Sequence, residues 1–311
     1  MSVFANTFGA VFTLFFIGII GWWIVSKRMM TDTVFSVLST LSLEVALPAM
    51  IFSDVIRNFD VKAYPEWWAL PLWWVGLTLL LFILTMAFSI FSSKENKSEF
   101  RISLFFQNGI FFPLAIFATI PSYSHLVIDV FFFTMFYAAF LFNTYYLFFP
   151  KAKKTFDLKK IFHPVLVSVL LAVIIVLFKG AWLVPKPVIT ALSMVGSMSI
   201  PLLMLILGGN IYTDFAKREK IEKADAAKFV LIKNFLFPMI VLILIYFIKP
   251  PENVALILLL ESAVPPITAT PILVERAGGN KSIANQFLLF SFIISLVSIP
   301  IMITVYNLLI K

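Results

Sequence analysis

The chain has 311 residues, 61% of them hydrophobic and 13% charged, with 36 phenylalanines and no cysteine. Soluble domains are roughly half apolar and about one quarter charged, so an ordinary soluble enzyme, a disordered regulator and a nucleic-acid-binding module are excluded. A disulfide framework, a thiolate metal site and a Cys nucleophile are excluded with them. The net charge of +8 fits the basic loops of a membrane protein as readily as a nucleic-acid partner, so the placement of the charges must decide.

Long apolar runs near 4–25, 34–56, 67–90, 101–120, 124–149, 161–178, 187–212, 226–248, 253–274 and 282–309 predict ten membrane-spanning helices. No Lys or Arg precedes the first run and no small-residue cleavage site follows it, so it reads as a retained helix. No polar segment is long enough for a separate soluble domain, and the longest, 150–160 and 213–225, are strongly basic. Seventeen of the 24 Lys and Arg fall on odd-numbered loops and six on even-numbered loops and tails, with Lys233 inside a span. The positive-inside rule then predicts cytoplasmic odd loops and two extracytoplasmic termini, with a plasma or bacterial inner membrane as the default. The same distribution assigns the basic residues to the lipid bilayer and leaves no nucleic-acid partner.

Ten spans divide into halves of five, 1–150 and 151–311, and an odd number per half makes the halves inverted in the membrane. A shift of 153 residues lays each span of the first half on its counterpart. The same shift carries Pro48 to Pro201, Pro113 to Pro266, Asn108 to Glu261 and Gly109 to Ser262.

Spans 4 and 9 each carry polar residues and helix breakers at mid-depth. Span 4 has Gln107, Asn108, Gly109 and then Pro113; span 9 has Glu261, Ser262, Pro265 and Pro266. Proline removes a donor and clashes with the preceding turn, so both spans are expected to break. Freed backbone at that depth is tolerated only inside protein or along a cavity. Pro113 and Pro265 or Pro266 suit the first turn of the second half-helices. If the breaks cross, two positive half-helix ends meet, an arrangement that favours an anion and best fits a carboxylate. A carboxylate at mid-membrane is costly and functional by default. Glu261 with nearby carbonyls suits a hard monovalent cation, and a desolvated carboxyl suits a proton; either would serve as coupling ion. Asn108 offers both donor and acceptor.

Glu44 lies four residues before Pro48, and the GSMSIP stretch containing Ser199 precedes Pro201; both are candidates for the substrate path, with a kinked packing helix as the equal alternative. Snorkelling is the simpler reading of Lys233. Interfacial hydration is the simpler reading of Asp54 and Asp129. Asn143, Asn210 and Asn234 read as helix-to-helix glue.

Four stretches resemble the auxin efflux carrier family in its bacterial form, which includes malate permeases: LEVALPAMIFSDV, QNGIFFPLAIF, GSMSIPLLMLILGGNI and LLLESAVPPITATPILVERAGGNKSIA. The family usually has Asn-Thr-Gly in span 4, and here Asn108-Gly109 omits the middle residue. The resemblance implies an all-α fold of ten transmembrane helices in two inverted five-helix repeats, similar to bile-acid sodium symporters. Helices 1, 2, 6 and 7 would form a scaffold and helices 3–5 and 8–10 a moving transport domain, with broken helices 4 and 9 crossing at the substrate. Bile-acid symporters place an Asn on helix 4 and a Glu on helix 9 at sodium sites, which resembles Asn108 and Glu261.

The expectation is a secondary transporter of a small organic anion, a malate-like mono- or dicarboxylate, working by elevator-type alternating access. The substrate set comprises Asn108, Gly109, Pro113, Ser262, Pro265, Pro266, Glu44 and Ser199. The ion set comprises Glu261, Asn108, Gln107 and Ser262, with Na+ at Glu261 and Asn108 or H+ as coupling ion and no other cofactor. An uncoupled facilitator or exporter and a membrane receptor using the same pocket are the alternatives. An enzyme is not expected: His125 and His163 both lie near span ends, and no HExxH motif is present. A homodimer through scaffold helices is open, with no GxxxG face to compel it.

Overall fold

The computed structural model describes residues 3–30, 32–150, 152, 162–216 and 221–310. Eight cations that set the predicted topology, Lys151, Lys153, Lys154, Lys159, Lys160, Lys217, Arg218 and Lys220, lie outside the described residues. The described chain is helical, its one β-bridge being isolated. Helix α1 (Val3–Ser26) is followed by α2 (Asp32–Thr40), a π-helical turn (Leu41–Ala46) and α3 (Leu47–Asn58). Helices α4 (Leu70–Phe88), α5 (Lys97–Phe105), α6 (Phe111–Thr119), α7 (Leu126–Phe133) and α8 (Tyr137–Thr144) complete the first half of the chain. The second half has α9 (Pro164–Leu177), α10 (Lys186–Gly196), α11 (Ser199–Ala216) and α12 (Lys223–Leu231). A second π-helical turn (Ile232–Leu236) leads into α13 (Phe237–Ile248), α14 (Glu252–Ala263), α15 (Thr270–Arg276) and α16 (Lys281–Leu309).

Among the described residues, seven stretches are long and apolar enough to cross a membrane: Val3–Ser26, Val37–Asn58, Trp67–Phe91, Leu126–Phe148, Lys186–Thr213, Lys223–Ile248 and Lys281–Leu309. The other three expected spans fall short of that length. Helix α9, with 14 residues, covers about 21 Å at 1.5 Å per residue. The remaining two are each divided, one between α5 and α6 and the other between α14 and α15.

Both π-helical turns have the same cause. Pro48 and Pro238 stand at the second residue of α3 and α13, directly after the widened turns. A proline inside a continuous helix clashes with the carbonyl four residues back, here that of Glu44 and of Asn234. One wider turn removes the clash without ending the span, and such π-bulges recur at functional sites.

Packing follows side-chain size. Helix α1 lies along α11, close enough that a Cβ on Gly208 would fall on the Gly18 carbonyl, and one on Gly21 would overlap the Leu205 backbone. Such small-residue contacts are how helices associate where no water drives them together. The opposite face of α1 carries Phe4, Phe8, Phe12 and Phe16, all exposed, with successive ring centroids 6.2, 6.0 and 6.2 Å apart. Helix α3 packs against α9 and α10. The divided spans are innermost. In α14 every residue from Val254 to Ala263 is buried, and in α6 every residue from Phe111 to Phe117. A helix buried all round has no polar face to spare, so each polar group on these segments needs an explanation.

Candidate functional site

Between α5 and α6, and again between α14 and α15, the chain is extended and the two breaks cross. Gln107 and Pro266 form an antiparallel bridge. The Asn108 backbone N–H donates to the Pro265 carbonyl at 2.8 Å, and the Ile267 N–H donates to the Phe106 carbonyl at 2.9 Å. Backbone freed inside an apolar region must find such partners. The prolines decide the register. Pro265 and Pro266 have no N–H, and a proline disfavours helical backbone in the residue before it; Val264 is accordingly extended (φ −71, ψ 152). This corrects the expectation that Pro265 or Pro266 opens the second half-helix. Pro271 stands in the first turn of α15, as Pro113 does in that of α6. Helix α15 has only seven residues, so the stronger positive half-helix end is that of α6.

Glu261 occupies the last turn of α14 and is 1% exposed. Its Oε2 accepts a hydrogen bond from Gln107 Nε2 at 3.3 Å, while Oε1 is buried without a partner. Gly109 lies against the carboxylate so closely that a Cβ there would overlap Oε2. Both amide atoms of Asn108, also 1% exposed, are buried without partners. The Gln107 carbonyl accepts from the Tyr137 hydroxyl at 2.5 Å and from the Gly109 N–H at 2.9 Å. The buried Thr270 hydroxyl, at the start of α15, is likewise unpartnered. Buried polar atoms in folded proteins are almost always satisfied. Asn108 and Glu261, either side of one crossing, are therefore the buried polar residues here whose side chains the protein itself leaves unsatisfied.

The crossing thus brings Gln107, Asn108, Gly109, Glu261, Pro265 and Pro266 together, with Pro113 one turn into α6. It does not gather the rest of the expected set. The Ser262 hydroxyl turns back onto the Leu259 carbonyl of its own helix at 2.7 Å. Glu44 is exposed. Ser199 is engaged with Ser42: the Ser42 hydroxyl donates to the Ser199 carbonyl at 2.9 Å, and the Ser199 hydroxyl to the Ser42 carbonyl at 3.5 Å. That pair clasps α11 to the first π-helical turn.

Two charged residues differ from the cheaper sequence reading. Lys233 does not snorkel: it is fully buried in the second π-helical turn, its Nζ has no hydrogen-bond partner, and it lies 5.7 Å from the centre of the Phe237 ring. The wide turn before Pro238 holds it inward. Its neighbour Asn234 ties the turn to α16, donating to the Ser291 carbonyl at 3.0 Å and to Ser298 Oγ at 3.3 Å. Asp129 is not hydrated at an interface but 2% exposed, with Asn253 Nδ2 donating to its Oδ2 at 2.9 Å and Oδ1 unpartnered. In the loop after α3, burial and then the Asp129 charge raise the Tyr64 phenol above its usual range, keeping it neutral.

Sequence reasoning missed Tyr137, Thr270 and the π-turn geometry of Lys233. Thr270-Pro271 is a helix-start signal, and Pro238 four residues after Asn234 repeats the spacing of Pro48 after Glu44. Nothing local marks Tyr137, whose partner is 30 residues away.

No curated protein matches the chain. The profile of the membrane transport protein family, which includes auxin efflux carriers, matches residues 6–158 and 148–303. That range covers nearly the whole chain, and this multi-pass helical protein belongs to the membrane transport protein family.

Proposed function

We propose that the protein is a secondary active transporter of a small organic anion, a malate-like mono- or dicarboxylate, coupled to Na+ or H+ and working by elevator-type alternating access. The observation that carries this reading is the set of unpartnered polar atoms at the crossing: Asn108 Oδ1 and Nδ2, and Glu261 Oε1, all buried where two helices break. Asn108 Nδ2 and the start of α6 offer donors to a carboxylate. Glu261 repels that carboxylate until a cation or proton neutralises it. One ion then raises the affinity for the anion and the anion raises that for the ion, which is the thermodynamic content of coupling. A sodium ion would use Glu261 Oε1 and Asn108 Oδ1; no other cofactor is needed.

In this reading the ten expected spans form two inverted repeats, 1–150 and 151–311, with helices 1, 2, 6 and 7 as scaffold and 3–5 and 8–10 as transport domain. The protein would lie in a plasma or bacterial inner membrane with both termini outside, as a member resembling malate permeases within a bile-acid-symporter-like superfamily. Scaffold helices are where a homodimer would form. The crossing modifies one detail. Its two hydrogen bonds, from Asn108 to Pro265 and from Ile267 to Phe106, exchange places under a shift of 159 residues, and the same shift carries Phe111, the first residue of α6, to Thr270, the first of α15. Asn108 and Glu261 are then neighbours across the crossing rather than symmetry mates.

The test is uptake of a labelled dicarboxylate into proteoliposomes under a sodium or proton gradient. Glu261→Gln, which keeps shape and hydrogen-bonding capacity, is expected to abolish ion-driven uptake while leaving a folded protein. Full retention of coupled uptake removes Glu261 from the mechanism. A second reading, an uncoupled anion facilitator, draws on Lys233: an ammonium on this buried residue would draw an anion inward without a coupling ion. Dicarboxylate counterflow that ignores both gradients would favour it.

A further inference from the structure

Away from the crossing, an apolar groove of about 610 Å³ opens along the seam between α12 and α16. Its walls are Ala227, Val230, Leu231 and Phe235 on one side and Phe290 and Ile294 on the other. Both ends of the seam are tied. At one end the Glu222 N–H donates to Gln286 Oε1 at 2.9 Å. At the other, Asn234 bonds Ser291 and Ser298 of α16, and the Ser291 hydroxyl returns a bond to Asn234 Oδ1 at 2.7 Å. The spacing of the two helices beside the groove is therefore fixed by hydrogen bonds at both ends. From Lys223 to Phe235 it runs about 18 Å at 1.5 Å per residue, close to half the roughly 30 Å hydrocarbon thickness of a bilayer.

Among the described residues, its one charged lining residue stands at the mouth. Lys223 is the first residue of α12, exposed, and part of the groove wall. The nearby Asp225 carboxylate is committed elsewhere, accepting from the Ser93 hydroxyl at 2.5 Å and from Asn96 Nδ2 at 3.0 Å. In sequence, Lys217, Arg218 and Lys220 precede Lys223, with Glu219 and Glu222 between them. An apolar slot one leaflet deep, capped by a cation at the basic end of a span, is complementary to a chain-bearing anion and not to a free one.

We propose that this groove is a binding site for one anionic phospholipid, an acyl chain lying between α12 and α16 and its phosphate on Lys223. The inner end of the groove is Phe235, within the π-helical turn that also carries Lys233 and Asn234. The bound chain would brace that turn and, through it, the position of Lys233 relative to Glu261.

Native mass spectrometry of the detergent-purified full chain, titrated with dioleoyl phosphatidylglycerol or dioleoyl phosphatidylcholine, tests this. Phosphatidylglycerol is expected to give the dominant single-lipid adduct. Lys223→Gln should lower its preference over phosphatidylcholine about fivefold, the weight of one basic residue at a membrane surface. Ala227→Phe, filling the groove from its exposed edge, should remove the adduct for both lipids, whereas Leu79→Phe on the exposed face of α4 should leave it unchanged. Equal retention of the two lipids by the unmodified chain, or the same adduct in Ala227→Phe as in Leu79→Phe, would overturn the proposal. Lys223 is exposed, so its substitution reads out the preference even where Ala227→Phe does not fold.

Discussion

Gly109→Ala tests whether the crossing is built around the Glu261 carboxylate. Gly109 is not in the left-handed backbone region, so alanine is conformationally acceptable there and any effect is steric. The added methyl would overlap Glu261 Oε2 and stand 2.9 Å from Cδ and 3.0 Å from Oε1. A carboxylate at the end of a free side chain would swing aside at little cost. This one cannot swing into solvent: Glu261 is 1% exposed and the residues on either side of it in α14 are equally buried. Moving it breaks the 3.3 Å bond from Gln107 Nε2, leaving two buried polar groups without partners. Overpacking and the lost bond each predict a cost of about 1–3 kcal/mol. Denaturant unfolding in detergent micelles measures it, and a cycle with Glu261→Ala isolates the cause. With the carboxylate gone, Gly109→Ala should cost less than about 0.5 kcal/mol, the residual expected of independent sites. Equal costs in both backgrounds, or none in the parent, would refute the contact.

Other predictions follow from single contacts. Tyr137→Phe removes the hydroxyl that donates to the Gln107 carbonyl at 2.5 Å, but that carbonyl keeps the Gly109 N–H; thermal unfolding should show a loss near 1 kcal/mol rather than the full cost of an orphaned group. Gly208→Ala places a methyl on the Gly18 carbonyl, which as backbone cannot rotate away, so α1 and α11 must separate at a cost of about 1–3 kcal/mol or more. Gly9→Ala, with nothing within 4 Å of the new Cβ, should be neutral or stabilising by up to about 1 kcal/mol. Similar gains in both glycine variants would show that helix propensity, not close approach, governs α1.

How far the site could be read beforehand depended on whether the signal was local. The breaks in spans 4 and 9 were legible because proline and glycine act on their own backbone, wherever the helix sits. The polar residues beside them were legible because an apolar span makes every exception conspicuous. The register of the crossing was not. A shift of 153 residues aligned Pro113 with Pro266, yet the bridged pair at the break, Gln107 and Pro266, lies 159 apart, because the missing N–H groups of Pro265 and Pro266 and the donors on Asn108 and Ile267 together set the pairing. Glu44 and Ser199 looked equivalent to the crossing residues in sequence, being polar and close to a proline. Helix packing exposed the first and gave the second to Ser42.

Composition, hydropathy and the breakers thus determined by themselves that this is a multi-pass helical membrane protein with two interrupted spans, and which side chains stand at the interruptions. Those features follow from the cost of burying peptide and charge in hydrocarbon, which each segment meets alone. Only the tertiary structure decided which of those side chains share a space. It set the Glu261 carboxylate against Gly109 and Gln107, left Asn108 without a partner, and turned Lys233 inward through the wide turn before Pro238. These are contacts between helices far apart in the chain, and a helix with no polar face to spare carries no local record of the neighbour it will meet.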